Sequence, residues 1–121
     1  MSIALLLAVG TLTSVGLYLI TARSLSRIIL GFALLGHAAV LSLLTAGGPA
    51  GKAPFASADQ TSADFANPLP QALALTAIVI GFGLTLFLLA LARRQNLITG
   101  DDLVEDDLED RRIAAEESSE P

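Results

Sequence analysis

Three long stretches without a single Asp, Glu, Lys or Arg constrain what this chain of 121 residues can fold into. They cover residues 3–22, 28–46 and 71–92, and each is close to the ~20 residues that an α-helix needs to cross a hydrocarbon core of ~30 Å. Hydrophobic residues make up 53% of the sequence, which is more than a soluble domain of this size carries. The sequence therefore predicts an all-α integral membrane protein with three transmembrane helices.

The first stretch could also be a secretory signal peptide, but three features favour a mature span. No basic segment precedes it, its apolar run is longer than an ordinary signal core, and a second span follows within a few residues. We therefore expect a transmembrane helix there.

Arginines mark one side of the predicted membrane. Arg23 and Arg27 lie between the first two spans, and Arg93 and Arg94 follow the third. Short cytoplasmic segments carry an excess of Lys and Arg, so we expect the N-terminus outside and the C-terminus in the cytoplasm. The predicted order is helix 1–22, cytoplasmic turn 23–27, helix 28–46, extracytoplasmic loop 47–70, helix 71–92 and cytoplasmic tail 93–121.

The tail holds most of the negative charge of the protein. Ten of the twelve acidic residues follow Gly100, while the formal net charge of the whole chain is -5. Such a segment is predicted to be solvated and mostly disordered, with a short helix that docks on a partner as the alternative. Its acidity argues against binding to nucleic acid or to anionic lipid headgroups.

Several kinds of chemistry are excluded by composition. The chain has no cysteine, and a lone histidine without clustered carboxylates cannot build a metal site. Gly81 and Gly83 share only a GxG with dinucleotide-binding fingerprints, and they lie inside a span. The sequence therefore predicts no metal, no cofactor and no catalytic residues.

Small residues within the spans predict contacts between helices. Without a hydrophobic driving force in lipid, small side chains let helix backbones approach closely. Three helices bury little among themselves, so we expect partner subunits as well as lipid around them. The predicted packing residues are Gly31, Gly36, Ala77, Gly81 and Gly83.

Two prolines and a glutamine precede the third span. Pro68 and Pro70 are expected to fix its starting direction, and Pro70 suits a first helical turn, where its missing N–H costs nothing. Gln71 is predicted to cap an unpaired backbone group at this end.

Two polar side chains inside the spans are candidate functional residues. His37 is the only side chain in a span of a type that titrates near neutral pH, and it could either titrate as part of an ion path or stay neutral and fix packing through a hydrogen bond. Thr76 could bond its own helix backbone, or its hydroxyl could support a water chain beside a neighbouring subunit.

The stretches GLYLITARSLSRIILGFALLGHAAVLSLLTAGG and NPLPQALALTAIVIGFGLTLFLLAL resemble the C subunits of multisubunit Mrp-type Na+/H+ antiporters, which are similar in turn to the K subunit of respiratory complex I. The resemblance covers residues 10–94. Where family members typically have Asp and Asn, this chain has Asn67 and Val40. Where the K subunit has two membrane glutamates, it has Ala33 and Ala77.

This resemblance implies a subunit of a monovalent cation/proton antiporter in a prokaryotic plasma membrane. Such a complex exchanges cytoplasmic Na+ for external H+ and uses the proton motive force for pH and salt homeostasis. The chain would pack between larger ion-translocating partners, including the antiporter-like A and D subunits, and would be part of a transporter rather than an enzyme. His37 and Thr76 would lie nearest the ion path.

Two other functions fit the same three-span design. One is a subunit of a quinone oxidoreductase or of a membrane-bound hydrogenase. The missing glutamates and the PLPQALxLTAIVIG run argue against the oxidoreductase more than against the hydrogenase. The other is a self-associating membrane scaffold without a transport role, which the small-residue faces fit equally well.

Overall fold

The chain folds into three long helices in a row, followed by a short helix in the tail. The computed structural model describes residues 2–53, 55, 58–104 and 108–119. Helices α1 to α3 are long and apolar enough to cross a membrane, which confirms the predicted all-helical class with three candidate spans. The helices are α1 Ile3–Ile20, α2 Leu25–Ala46, α3 Pro68–Thr99 and α4 Leu108–Ser119.

Helix α2 lies in the middle of the row. It packs against both α1 and α3, whereas α1 and α3 do not contact each other within the described residues. The buried apolar side chains of this part of the chain are few and mostly small, namely Ile29, Ala38 and Ala74, at 7%, 4% and 3% exposure. Most large apolar side chains of the three helices therefore face outward, towards lipid or other proteins.

Two glycines let α1 and α2 approach each other closely. A Cβ placed on Gly31 would lie 2.7 Å from the carbonyl oxygen of Gly16, and a Cβ on Gly16 would lie 2.9 Å from Cγ of Leu35. Any side chain would force the two backbones apart. Gly31 is one of the predicted packing residues, whereas its partner Gly16 is not among them.

The other predicted packing residues do not contact a neighbouring helix of this chain so closely. A Cβ on Gly36, Gly81 or Gly83 would meet nothing within 4 Å, and Ala77 is exposed. Their packing role stays a prediction, and it concerns surfaces that this chain leaves uncovered.

Helix α3 is longer than predicted at both ends. It begins at Pro68 because proline needs no N–H partner in the first turn, and the Asn67 side chain caps it by accepting from the Leu69 N–H at 3.1 Å. Asn67 thus supplies one cap at this end, and the capping role of Gln71 stays a prediction. At 32 residues α3 is ~48 Å long, so about three of its turns extend beyond a ~30 Å hydrocarbon core.

Helix α2 also starts earlier than predicted, at Leu25 rather than at residue 28. Its N-cap residue Ser24 has extended backbone angles, and Arg27 lies in the first helical turn instead of in the connection. The turn between α1 and α2 is therefore short.

Part of the tail is helical, since α4 forms within the segment for which the sequence predicts disorder or, as the alternative, a short docking helix. Arg112 pairs with Glu109 at 3.4 Å and with Glu116 at 3.5 Å, at helical spacings of three and four residues. Two acidic residues in its first turn also favour the positive end of the helix dipole. Local charge patterning thus supports a helix that has almost no apolar face.

We predict that Gly16→Leu separates α1 from α2, because the leucine side chain would overlap Gly31 and Leu35. Overpacking of this kind costs ~1–3 kcal/mol and should lower the thermal unfolding midpoint of the full-length chain in mild detergent. Gly10→Leu is the matched control, since a Cβ at this α1 position meets nothing within 4 Å. Equal midpoints for the two variants would contradict the close approach.

Candidate functional site

The His37 ring is hydrogen-bonded to its own helix. Its Nδ1 lies 2.6 Å from the carbonyl oxygen of Ala33, one turn earlier in α2. A carbonyl can only accept, so Nδ1 must carry the proton and donate it. In a neutral imidazole this leaves Nε2 as an acceptor, and Nε2 makes no hydrogen bond to the described residues.

The face of α2 that carries His37 is not covered by the other helices. Leu30, His37 and Leu44 are spaced seven residues apart and share one face, and all three are exposed. The α1 contact uses a different face of α2, the one that holds Gly31 and Leu35. The Nε2 atom of His37 therefore lies on a surface on which another protein could pack.

Thr76 is also hydrogen-bonded within its own helix. Its hydroxyl donates to the carbonyl oxygen of Ala72 at 3.0 Å, which is the usual arrangement for a threonine inside a membrane helix. Ala74, two positions away, is buried, and two positions correspond to about 160° around a helix. Thr76 therefore points away from α2, on a face it shares with Gly83.

The structure does not bring the two candidate residues together. His37 lies on an open face of the central helix, and Thr76 lies on the far side of α3. Any path that involves both must run through a neighbouring protein. The two residues belong to two separate surfaces of the chain.

His37 lies close to one of the two positions at which the resemblance places a glutamate. Ala33 supplies the carbonyl that its ring bonds, one helical turn away. At the second position, Ala77 is exposed on α3. His37 is thus on the same side of α2 as the first position.

The ends of α2 and α3 that lie beside the 47–67 connection pack tightly together. A Cβ on Gly47 would lie 2.9 Å from Cγ of Pro70. An open cleft of about 370 Å³ lies at this end, and its polar lining residues include Thr45, Asn67 and Gln71. Pro70 and Gln71 therefore shape a surface at the end of the row, while Pro68 starts the helix.

The four arginines that predict topology lie at the opposite end. Arg23 and Arg27 flank the α1–α2 turn, and Arg93 and Arg94 lie in the last third of α3. Their position fits contact with headgroups and water.

Sequence reasoning missed a polar cluster at this arginine-rich end. The Asp102 carboxylate accepts hydrogen bonds from the Ser24 hydroxyl and, at 2.9 Å, from the Ser26 hydroxyl. The Ser26 backbone N–H also donates to it, at 3.3 Å. The two serines just before an apolar run were a signal for a helix start, but nothing in the sequence indicated that the cap would come from the tail.

These hydrogen bonds lower the pKa of Asp102, and the Ser24 hydroxyl is their largest contributor, followed by Ser26. A lowered pKa means that the folded chain favours the ionised carboxylate. Its contribution to stability is therefore present above the ordinary value of about 3.9 and is lost as the pH falls through the lowered pKa. At neutral pH the Asp102 carboxylate is therefore ionised and accepts all three hydrogen bonds.

Metal coordination finds no support in the described ranges. No group of three or more His, Asp and Glu side chains is placed there to hold a metal ion. The described helices instead present surfaces on which hydrogen-bonding groups are isolated from one another.

Comparison with known proteins shows which family the chain matches. Residues 4–109 match the family described as NADH-ubiquinone/plastoquinone oxidoreductase chain 4L. The chain is 46% identical over 118 residues to the C subunit of the Na(+)/H(+) antiporter of Alkalihalophilus pseudofirmus, covering 97% of this chain and 100% of that one. It is 45% identical to the C1 subunit of the Na(+)/H(+) antiporter of Staphylococcus epidermidis, covering 87% of this chain and 90% of that one.

Two solved structures share the fold. A chain in the structure of the Mrp complex from a Dietzia species matches with a TM-score of 0.73 and 41% identity, covering 90% of this chain and 82% of that one. A chain in the membrane-bound sulfane sulfur reductase, an archaeal respiratory membrane complex, matches with a TM-score of 0.74 and 30% identity, covering 88% and 98%.

The His37 hydrogen bond predicts one tautomer. At about pH 8, where histidine is ordinarily neutral, the ¹⁵N spectrum of the histidine-labelled chain in lipid should show a protonated Nδ1 and an unprotonated Nε2. The chain contains a single histidine, so the signal is unambiguous. The denatured chain serves as the control and should show the ordinary tautomer mixture. A protonated Nε2 in the folded chain would contradict the hydrogen bond to Ala33.

Proposed function

This chain belongs to the NADH-ubiquinone/plastoquinone oxidoreductase chain 4L family and, within it, groups with the Na+/H+ antiporter C subunits, and from that premise we propose that it serves a complex exchanging cytoplasmic Na+ for external H+. The exchange would use the proton motive force and support pH and salt homeostasis. The observation that carries this proposal is the match to antiporter C subunits along nearly the whole chain.

The ion-moving groups of the complex are proposed to come from its other subunits. A proton relay through a membrane normally uses carboxylates, and the three spans of this chain contain none. The large antiporter-like A and D subunits are the proposed source. This chain would pack between them and smaller subunits, with lipid on any face that remains uncovered.

The geometry supports contact with at least two neighbours. The His37 face of α2 and the Thr76 face of α3 point in different directions, so one helix cannot cover both. The neighbour at His37 should offer a hydrogen-bond donor, such as a hydroxyl or bound water, because Nε2 is an acceptor. The neighbour at Thr76 should approach closely, because Gly83 on the same face has no side chain.

The proposed location is the plasma membrane of a prokaryote, with the N-terminus outside and the C-terminus in the cytoplasm. The four arginines at the α1–α2 turn and in the last third of α3 support this orientation. The acidic tail would then lie in the cytoplasm.

A respiratory complex is the second candidate. The family description and the fold shared with the archaeal sulfane sulfur reductase favour it. Against it, Ala33 and Ala77 occupy the positions at which the resemblance to the K subunit places membrane glutamates. We therefore prefer the antiporter.

Exchange assays in inverted vesicles test the antiporter and the role of Thr76 together. Vesicles with the native subunits should show Na+-dependent proton exchange and lose it when this chain is absent. Thr76→Val, which removes one hydroxyl at constant shape, should lower exchange about fivefold, the effect of one hydrogen bond of ~1 kcal/mol. His37→Ala should also lower exchange if its face lies beside the ion path.

Thr85→Val is the matched control for Thr76→Val. Its hydroxyl also bonds a carbonyl one turn earlier, that of Gly81 at 2.8 Å, but Thr85 lies on the half-buried side of α3. Exchange should stay near the native rate in this variant. Native exchange without this chain would refute the proposed function, and equal rates for the two valine variants would refute the role of the Thr76 face.

A further inference from the structure

The chain that follows α3 turns back to contact the start of α2. Gly100 ends α3 with a φ of 71°, a left-handed angle that glycine adopts easily. Two backbone hydrogen bonds of 2.8 Å follow, from Leu25 N–H to the Asp102 carbonyl and from Val104 N–H to the Arg23 carbonyl. We call residues 100–104 the strap.

The strap supplies the cap that α2 would otherwise lack. The first N–H groups of a helix have no partner within it, and the N-cap residue Ser24 makes no capping hydrogen bond with its own side chain. The Asp102 carboxylate accepts from the Ser26 N–H instead, and from both serine hydroxyls. A negative charge at this position also suits the positive end of the helix dipole.

The strap also has hydrogen bonds of its own. The Asp101 carboxylate accepts from the Leu103 N–H at 3.2 Å, and the Asp101 N–H donates to the Thr99 hydroxyl at 3.3 Å. Thr99 in turn donates to the Gln95 carbonyl at 2.9 Å. These bonds connect the strap to the last turn of α3, so a movement of that turn moves Asp102.

This contact adds a second connection between α3 and the α1–α2 hairpin. Helices α1 and α3 do not touch within the described residues, and α3 packs on α2 alone. The strap extends α3 across to the turn that connects α1 with α2. It is paired there as an antiparallel bridge between Ser24 and Leu103.

We propose that Asp102 is a positioning residue and that the strap is a latch that fixes α3 against the α1–α2 hairpin at the arginine-rich end. The latch sets the rotation of α3 about its axis, and therefore the direction in which the Thr76 face points relative to the His37 face. Its effect on transport rests on the proposed antiporter function, while its existence does not.

Engineered cysteines test the latch directly. Residues opposite each other in an antiparallel bridge have Cα atoms about 4.5–5.5 Å apart, within the range of a disulfide. Ser24→Cys with Leu103→Cys should therefore cross-link under mild oxidation in membranes that contain the complete complex. The chain has no native cysteine, so these thiols are its only ones.

The rate of this cross-link should depend on Asp102. Ser24→Cys removes the Ser24 hydroxyl, so in this background Asp102→Ala removes the charged cap and the two hydrogen bonds from Ser26. It should slow the cross-link about fivefold, and Asp102→Asn should fall between. Asp110→Ala is the matched control, because it removes the same charge from α4 outside the strap, and it should not change the rate. No cross-link with Asp102 present, or equal rates with and without it, would overturn the latch.

Exchange measurements then test the positioning role. In the complete complex, Asp102→Ala alone should lower exchange, and adding the cysteine pair should restore it only after oxidation. Unchanged exchange in Asp102→Ala, or a closed disulfide that does not restore exchange, would overturn the positioning role. If the native complex shows no exchange at all, the antiporter proposal fails, while the cross-link still decides whether the latch exists.

Discussion

The hydrocarbon core of a bilayer offers no hydrogen-bond partners, and this constraint shapes every polar group in the spans. A polar side chain there must bond within the protein or remain unsatisfied at a high free-energy cost. In this chain, most of the serine and threonine hydroxyls inside the spans donate to carbonyls one turn earlier in the same helix, and the His37 ring bonds its own helix in the same way. The residues that follow this pattern include Thr13, Ser14, Ser42, Thr76 and Thr85. Each helix is thus nearly self-sufficient and needs little polar contact with its neighbours.

Self-sufficient helices can form a single row, and the row explains why the chain suits a complex. With α2 in the middle and a core of only a few side chains, two broad apolar surfaces remain uncovered. Partner helices can pack on both of them, and the chain then separates its neighbours in the membrane. A subunit that only separates its neighbours, which we call a spacer, needs no carboxylate of its own. In the proposed complex, its contribution would be to hold the Thr76 and His37 faces in fixed directions. The strap is the polar contact that joins the end of α3 to the turn between the other two helices.

The sequence predicts the spans well because hydropathy and helix length are local properties. It predicts less at the helix ends. Two prolines in the first turn of α3 and the Asn67 cap extend that helix beyond its apolar segment. The strap could not be predicted, because Asp102 and its partner Ser24 lie 78 residues apart and no periodicity connects them. Of the glycines, Gly31 was identifiable as a small residue in a span, but its partner Gly16 becomes evident only when the two helices are seen together.

If this chain is a spacer within a cation/proton antiporter, the proteins that surround it in the membrane must be transporter subunits. Mild-detergent purification through a tag on the tail, with mass spectrometry of the proteins that remain bound, identifies these neighbours. We predict large, many-span antiporter-like subunits without redox proteins. Flavin or iron–sulfur subunits would contradict the spacer role in favour of an electron-transfer complex, and recovery of the chain alone would contradict it in favour of a self-associating scaffold.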